Sequence, residues 1–295
     1  MNYYNEIKTE IINNEITKKV KDYSKNRSDL NTYYNVGKLL SEAGKHYGEG
    51  IIKEYSKRLT CEFGKGYSKR NLWLMLRFFL LNEKMQTLSA FLTWSHYCEL
   101  LTMNSINKIN YYIKISEEQN LSVRELRTRI KNNEYERLDD KTKEKLKEKK
   151  SNNEVTDYIK NPILINNKNN YNEISEKMLQ KIILEDIESF LKELGSSFSF
   201  IGSEYKIKIG DRYNYIDLLL FNYEFNCFVV VELKVTELKK EHIGQIEVYM
   251  NYIDNNLRKA TQDKTIGIII CKKDNKFIIE YASDKRILSR EYELI

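Results

Sequence analysis

Three charged residues lie where the sequence predicts the interior of a β-sheet. Asp217 interrupts the apolar run from 215 to 221, and Glu232 and Lys234 follow three consecutive valines, 229 to 231. Because side chains alternate along a strand, Glu232 and Lys234 point to the same face. Burying such charges is costly unless they are paired or hold a cation. Two carboxylates with carbonyl and water oxygens suit Mg²⁺ or Mn²⁺ better than zinc, and a lysine can offset charge on a phosphoryl oxygen.

A plain ion pair between Glu232 and Lys234 is the alternative that involves no chemistry. The tripeptide alone carries little information, since Glu237-Leu238-Lys239 repeats it five residues later. That second copy is expected to open a helix, where a glutamate in the first turn interacts favourably with the helix dipole. Asp217 distinguishes the first copy, because perturbed charges that gather at one buried place are typical of functional sites.

The elements that must position these residues lie in the second half of the chain. Apolar periodicity predicts a helix over 174–194 that ends at Gly195, and a hairpin whose strands flank the Gly210-Asp211 turn. A strand over 227–235, apolar enough to be buried on both faces, and a helix over 239–255 follow, and then strands over 265–271 and 277–281. This order predicts a mixed central sheet flanked by helices.

The first half reads as helical and basic. Residues 1–150 contain 29 basic and 20 acidic residues, a formal charge of +9, whereas residues 151–295 carry −3. Two short helices around a glycine-containing turn at 64–66 outline a helix-turn-helix. The second of these helices begins beside the nucleic-acid contacts that we predict, which are Lys65, Tyr67, Lys69 and Arg70. We expect a helical domain over 1–135, a charged linker over 136–160 and a second domain over 161–295.

Several protein classes are excluded. No stretch approaches the roughly 18–20 apolar residues of a membrane helix, and the beginning MNYYNEIKTE lacks the features of a secretory signal. The four cysteines form no C-x-x-C, and there is no phosphate-binding G-x-x-x-x-G-K-[ST] or G-x-G-x-x-G motif. We therefore expect a soluble cytoplasmic protein without a membrane partner, whose chemistry depends on carboxylates, lysines and amides.

Together the motifs resemble a known family. Asp217 and Glu232-x-Lys234 are separated by fourteen residues, as in the PD-(D/E)xK, or restriction-endonuclease-like, nuclease superfamily. More closely, the chain resembles the two-domain YhcG / DUF1016 group. In the second half the resemblance rests on 186–195, 200–202, 215–219, 231–234, 244–249, 266–271 and 280–282. In the first half it rests on 34–37, 47–48, 66–68, 71–72, 93–97 and 124–126. It implies an α+β fold, with an N-terminal all-helical domain followed by a C-terminal nuclease domain around a mixed sheet.

The resemblance also implies a role for each matching residue. Asp217 and Glu232 would bind the metal with the Leu233 carbonyl as a third ligand, and Lys234 would be the catalytic lysine. The remaining candidates are Gln245 facing the same site, Glu188 as a supplementary acid and Tyr215 as a phosphate contact. Ile216 departs from the superfamily, which often has proline before the aspartate.

The expected activity is hydrolysis of DNA phosphodiester bonds with Mg²⁺ or Mn²⁺, in DNA processing, restriction or defence against mobile elements. The alternative is a nuclease fold that recognises a DNA structure or a partner without cleaving. RNA is a less favoured substrate, because the chain has no RRM-like or KH-like pattern. Assembly into a homo-oligomer stays open.

Overall fold

The computed structural model describes residues 3–20, 25–48, 50–82, 91–148, 155–195, 197–282 and 284–295. Two units can be separated, Met1–Tyr135 and Glu136–Ile295. No helix in these described ranges is both long and apolar enough to cross a membrane. All four cysteines carry free thiols, of which Cys227 and Cys271 are buried.

The first unit is built from helices in its described residues. They are α1 (Tyr3–Val20), α2 (Lys25–Tyr47), α3 (Gly50–Phe63), α4 (Lys69–Asn82), α5 (Trp94–Leu100), α6 (Ile106–Glu118) and α7 (Val123–Lys131). A single 3-10 turn, Lys65–Tyr67, joins α3 to α4, so two helices do flank the predicted turn. The sequence also predicts a helical stretch from 93 to about 115, which the structure divides into α5 and α6. Ser105 caps a new helix there, since its side chain accepts the Lys108 N–H.

Close packing of α2 on α4 yields a stability prediction. A Cβ at Gly37 would collide with the Met75 carbonyl oxygen and lie 2.9 Å from the Phe79 Cβ. We expect Gly37→Ala to lower the free energy of unfolding by about 2–3 kcal/mol, as overpacking does. Gly44→Ala in the same helix is the control, because nothing lies within 4 Å of its added Cβ. Urea unfolding followed by tryptophan fluorescence reports on this unit, since Trp73 and Trp94 are the chain's only tryptophans. Equal stability of the two variants would contradict the prediction.

The second unit combines a six-stranded sheet with helices, an α+β arrangement. Its helices are α8 (Asp140–Glu148), α9 (Glu176–Glu185), α10 (Ile187–Leu194), α11 (Lys240–Asn256) and α12 (Lys276–Glu280). Its strands are β1 (Ile163–Ile165), β2 (Phe198–Ile209), β3 (Arg212–Asn222), β4 (Cys227–Glu237), β5 (Ile266–Lys273) and β6 (Ile287–Leu294). They are ordered β1-β6-β5-β4-β3-β2. β3 pairs antiparallel with both β2 and β4, whereas β4–β5, β5–β6 and β1–β6 are parallel pairs. The predicted mixed sheet is therefore confirmed.

β4 is buried on both faces, as its run of valines indicates. Val229 and Val231 belong to a core that includes residues of α9 and α10, and Val230 belongs to a second core that includes residues of α11. One layer of helix thus covers each face of the central strand. The polar side chains of Glu232 and Lys234 are therefore buried, whereas β4 becomes exposed at its end, residues 236–237.

Two predicted elements are wrong. Residues 277–281 were expected to form a strand, but α12 covers most of them and the last strand is β6. A short apolar run such as Phe277-Ile278-Ile279 does not distinguish a helix from a strand. The single helix predicted over 174–194 is broken at Asp186, whose φ of −138° and ψ of 51° are not helical. The break changes the direction that α10 takes after α9.

The segment predicted as a charged linker, 136–160, contains helix α8 and a 3-10 turn at Val155–Tyr158, while 149–154 lie outside the described residues. Lys145 pairs with Asp157 at 2.8 Å, and Arg137 pairs with Glu193 of α10. The first contact joins the two described parts of the segment, and the second ties the segment to α10. We still propose a helical domain over 1–135, a charged linker over 136–160 and a second domain over 161–295.

Candidate active site

A gap between β3 and β4 holds the candidate site. The two strands pair from Asn222 and Cys227 as far as Leu218 and Val231, so Asp217 and Glu232 are the first residues beyond the ladder. There the Asp217 Oδ2 accepts the backbone N–H of Leu233 at 2.8 Å, in place of a partner strand. In an extended strand the N–H and C=O of one residue point to the same side. The Leu233 carbonyl therefore faces the gap as well.

Glu232 is buried with one carboxylate oxygen unsatisfied. The side chain is 2% exposed, and its Oε2 accepts Lys234 Nζ at 3.3 Å and Gln245 Nε2 at 3.1 Å. Its Oε1 is buried and has no hydrogen-bond partner in the described residues. The backbone N–H of Asp217 acts to lower the pKa of Glu232, but it donates no hydrogen bond to Oε1. Burial and the negative charge of Asp217 together raise the pKa of Glu232 to about 8.

Asp217 has a raised pKa for the same first reason, burial, although the Leu233 N–H partly opposes the shift. Lys234 shows the opposite balance. Burial acts to lower its pKa, but the charges of Glu232 and Glu176 outweigh this effect and raise the pKa. The Lys234 ammonium is therefore held charged, whereas the carboxylates of Asp217 and Glu232 resist full ionisation. Asp217 and Glu232 titrate as a pair.

Helix α9 contributes two site residues that the sequence analysis missed. Glu176 Oε2 lies 3.6 Å from Lys234 Nζ, and Gln180 Nε2 donates to the Asp217 carbonyl at 2.9 Å. They occupy positions i and i+4 of one helix, so they share a face. The Ser175 cap, which accepts the Met178 N–H, fixes where that helix begins. A search for Glu-x-x-x-Gln immediately after a capping serine could have found them.

The prediction for Glu188 is wrong in position. Its side chain is 78% exposed and pairs with Lys192 Nζ at 2.6 Å along α10. The break at Asp186 explains the error, because it separates α10 from the helix whose acid contacts Lys234. Glu204 is a further acid near the gap. It adopts a positive φ of 46° on β2, and its negative charge raises the pKa of Asp217.

The other predicted contacts divide by exposure. Lys65 in the 3-10 turn and Lys69 and Arg70 at the start of α4 are exposed. Tyr67 is only 7% exposed and packs edge-on against Phe63 in the core of the helical unit. Its burial argues against the predicted contact with nucleic acid. Tyr215 is exposed on β3, two residues before Asp217.

The donors around the gap are of the kind that a small divalent cation binds. Within the described residues there is no cluster of three His, Cys, Asp or Glu side chains that could bind a metal. Mg²⁺ does not need one, since it usually keeps several waters and binds one or two carboxylates. Hard oxygen donors are present in the unsatisfied Glu232 Oε1, the Asp217 carboxylate and the Leu233 carbonyl. A cation between the carboxylates would also remove the repulsion that raises the pKa of Glu232.

This repulsion leads to a prediction for the metal-free protein. The pKa of Glu232 is higher in the folded state than in the unfolded chain, so its stabilising contribution is present below about pH 4.3 and is lost as the pH rises through about 8. Glu232→Gln removes the charge and keeps the shape. We expect the variant to exceed the wild type by about 2–4 kcal/mol at pH 8.5 and to match it near pH 5.

Urea unfolding in EDTA, followed by far-ultraviolet circular dichroism at both pH values, measures this difference. Glu237→Gln is the matched control in the second Glu-Leu-Lys, because Glu237 is exposed at the end of β4 and lies 3.6 Å from Lys273 Nζ. It ends a strand and does not open the next helix as the sequence suggested. A Glu232→Gln variant less stable than the wild type at pH 8.5 would contradict the account.

Comparison with known families gives two matches. Residues 156–295 match a family model described as the YhcG PDDEXK nuclease domain, and residues 6–137 match one described as the DUF1016 N-terminal domain. A curated relative, the putative nuclease YhcG of Escherichia coli K12, is 25% identical over 309 residues. The match covers 89% of this chain and 82% of that protein.

Solved structures give weaker matches. A repair endonuclease from Pyrococcus abyssi is 18% identical, with a TM-score of 0.30, over 41% of this chain and 48% of that chain. The structure of an EndoMS–dsDNA2 complex is 20% identical, with a TM-score of 0.28, over 43% of this chain and 48% of that chain. The match thus spans about half the length of each of these two solved chains.

Proposed function

The chain belongs to the YhcG / DUF1016 family of PDDEXK nuclease-domain proteins, and from this premise we propose that it is a metal-dependent nuclease that hydrolyses DNA phosphodiester bonds. One observation carries the proposal. A buried glutamate, Glu232, has a carboxylate oxygen without a partner among the described residues, beside a second carboxylate and a charged lysine. Such an arrangement is costly unless a cation completes it.

Asp217, Glu232 and the Leu233 carbonyl would hold Mg²⁺ or Mn²⁺. A divalent ion bound there supplies a nucleophilic water at neutral pH and polarises the phosphoryl oxygens. Lys234 places a fixed positive charge where negative charge develops in the transition state. Gln245 holds Glu232 by its Oε2, and Tyr249 accepts a second hydrogen bond from the Gln245 amide. Gln245 is therefore a positioning residue.

Glu176 of α9 takes the role of supplementary acid that was predicted for Glu188. Its carboxylate is close enough to Lys234 to raise the pKa of that ammonium and keep it charged. Gln180 fixes the backbone of Asp217 from the same helix. Both contacts hold the charged groups of β3 and β4 in place. Lys234 contacts two glutamates, Glu176 and Glu232.

In the helical unit we assign phosphate contact to Lys65, Lys69 and Arg70, at the N-terminal end of α4. The exposure of all three side chains supports this role, and so does the +9 charge of residues 1–150. A helix-turn-helix function for α3 and α4 is part of the same proposal. We further propose that the protein acts in the cytoplasm, in DNA processing, restriction or defence against mobile elements.

Incubation of supercoiled plasmid with the protein tests the proposal. We expect nicked or linear products with Mg²⁺ or Mn²⁺, no products in EDTA, and little inhibition by excess RNA. Strong inhibition by RNA would point to an RNA substrate. No cleavage of DNA or RNA with either ion, together with retained DNA binding, would contradict the proposal and favour the non-cleaving module.

A further inference from the structure

The hairpin of β2 and β3 separates from β4 beyond the paired residues Leu218 and Val231, although β4 itself continues to Glu237. Its two strands pair as far as Ile209 and Arg212, next to the turn at Gly210, where φ is 58°. β3 pairs with β4 only from Leu218 to Asn222. The part of the hairpin that lies before Asp217 therefore forms an arm, residues 205–216, which ends at the candidate active site.

The two faces of the arm differ in burial. Ile207 and Ile216 are fully buried in the core that includes residues of α11. The opposite face carries two cross-strand pairs, Lys206 with Tyr215 and Lys208 with Tyr213. Residues opposite each other in an antiparallel pair share a face. Lys206 Nζ also lies 3.8 Å from the centre of the Tyr213 ring, a diagonal contact that joins the two pairs.

These four residues, Lys206, Lys208, Tyr213 and Tyr215, form the tyrosine–lysine face. The two tyrosines are 56% and 53% exposed, and both lysines are exposed. Alternation along the strand separates Tyr213 from Tyr215 by about 7 Å, and Asp217 follows after about the same distance. Along β3, Asp217 therefore lies two residues from the inner end of the tyrosine–lysine face.

Charge changes sign along this direction. Lys206, Lys208 and Arg212 make the outer part of the arm basic, with Asp211 at the turn as its acidic exception, whereas Glu204 and Asp217 lie at the inner end. A polyanion would be attracted by the outer part. At the inner end its phosphates would need a cation to offset the carboxylates.

Exposed aromatic rings interleaved with lysines have a specific chemical match. Bases of a single strand stack on aromatic side chains whatever their sequence, and lysines follow the backbone phosphates. A continuous duplex keeps its bases stacked inside the helix, so it offers the tyrosine rings no base face. A second copy of this chain would bring like-charged lysines together on a symmetric contact.

We propose that the tyrosine–lysine face binds an unpaired stretch of DNA strand beside the cleaved bond, so that the substrate is DNA with a single-stranded segment next to a duplex. This inference rests on the proposed nuclease function. It assigns Tyr213, Lys206 and Lys208 a role alongside Tyr215. Stacking on the two rings positions the strand so that the phosphate beside the last stacked base reaches the gap at Asp217.

Binding is measured without metal, so that it does not depend on cleavage. The probe is a fluorescently labelled oligo-dT strand in EDTA, and its anisotropy gives the dissociation constant. We expect Tyr213→Ala/Tyr215→Ala to weaken binding at least about 10-fold, because stacking contributes strongly for each base. Tyr213→Phe/Tyr215→Phe should restore most of the affinity, since phenylalanine keeps the ring.

Tyr281→Ala is the matched control, because this tyrosine is 82% exposed elsewhere in the same unit. It should bind the strand as the wild type does. Wild-type affinity of the Tyr213→Ala/Tyr215→Ala variant would overturn the inference. So would an equal loss of affinity in the Tyr281→Ala variant.

Cleavage then tests the substrate class. Two DNA molecules of the same sequence, one a continuous duplex and one with a single-stranded flap, are compared with Mn²⁺. We expect the wild type to cut the flapped molecule at least about 10-fold faster, near the junction, and the double alanine variant to lose that preference. Equal rates on both molecules would overturn the inference and leave the nuclease function intact. If neither molecule is cut, the nuclease function fails and this substrate assignment fails with it, whatever the binding measurement shows.

Discussion

Asp217→Asn is expected to reduce DNA cleavage at least about 10³-fold, because a bound cation supplies several kcal/mol of transition-state stabilisation and each 1.4 kcal/mol is a factor of ten. Asparagine keeps the volume of the side chain. Its carbonyl oxygen can still accept the Leu233 N–H, which is bonded at 2.8 Å in the wild type. The substitution therefore removes a charge and leaves the separation of β3 and β4 unchanged.

The assay is the initial rate of plasmid nicking at saturating Mn²⁺. Folding of the variant is checked by circular dichroism, and Asp211→Asn at the tip of the hairpin is the control, since Asp211 is exposed and six residues away. The Asp211→Asn variant tests whether the loss of any acidic side chain on β3 or its turn is enough to reduce the cleavage rate. Cleavage by Asp217→Asn within a few-fold of the wild-type rate would exclude Asp217 from the metal site.

Lys234→Met is expected to lower kcat about 10²- to 10³-fold, the usual loss when one donor that stabilises the transition state is removed. Methionine retains the apolar stem, so the burial of β4 is preserved. Cation affinity should stay the same or increase, because the ammonium competes with a cation for Glu232. A loss of turnover with intact cation binding distinguishes a catalytic lysine from a structural ion pair.

Lys239→Met in the second Glu-Leu-Lys is the matched control, because Lys239 is exposed. We expect it to cleave as the wild type does. If Lys234→Met loses cation binding together with activity, Lys234 stabilises the site and takes no direct part in hydrolysis. Full activity of Lys234→Met would remove it from the site.

Much of the site could be predicted because its residues break local rules. Asp217 and Glu232 are charges inside apolar strands, and such interruptions are visible without a structure. The resemblance implied Gln245, and α11 begins close to its predicted start and brings the Gln245 amide within 3.1 Å of Glu232.

Glu176, Gln180 and Glu204 could not be predicted in the same way. Glu176 and Gln180 lie on α9, which ends at the non-helical Asp186, whereas periodicity alone runs through that residue and does not separate α9 from α10. Glu204 depends on a positive φ next to an irregular stretch of β2, where the register shifts between Phe200 and Gly202. Both features are set by tertiary packing, which outweighs local propensity.

Burial decided two further assignments. Tyr67 lies in a basic, glycine-rich turn that predicts contact with nucleic acid, yet its ring completes the core of the helical unit. The sequence predicted no nucleic-acid contact for Tyr213, although this side chain is exposed, as that of Tyr215 is. A hairpin has one packed face and one exposed face. The register of β2 and β3 was therefore needed to identify which lysines lie beside Tyr213 and Tyr215.

Calorimetric titration of the metal-free protein with Mn²⁺ tests the central claim most directly, because it asks whether Asp217 and Glu232 together hold a cation. At pH 8 we predict binding to one site per chain in the wild type and in the Glu237→Gln control, at least about 10-fold weaker binding in Asp217→Asn, and the same loss in Glu232→Gln. Wild-type affinity in both Asp217→Asn and Glu232→Gln would contradict the account.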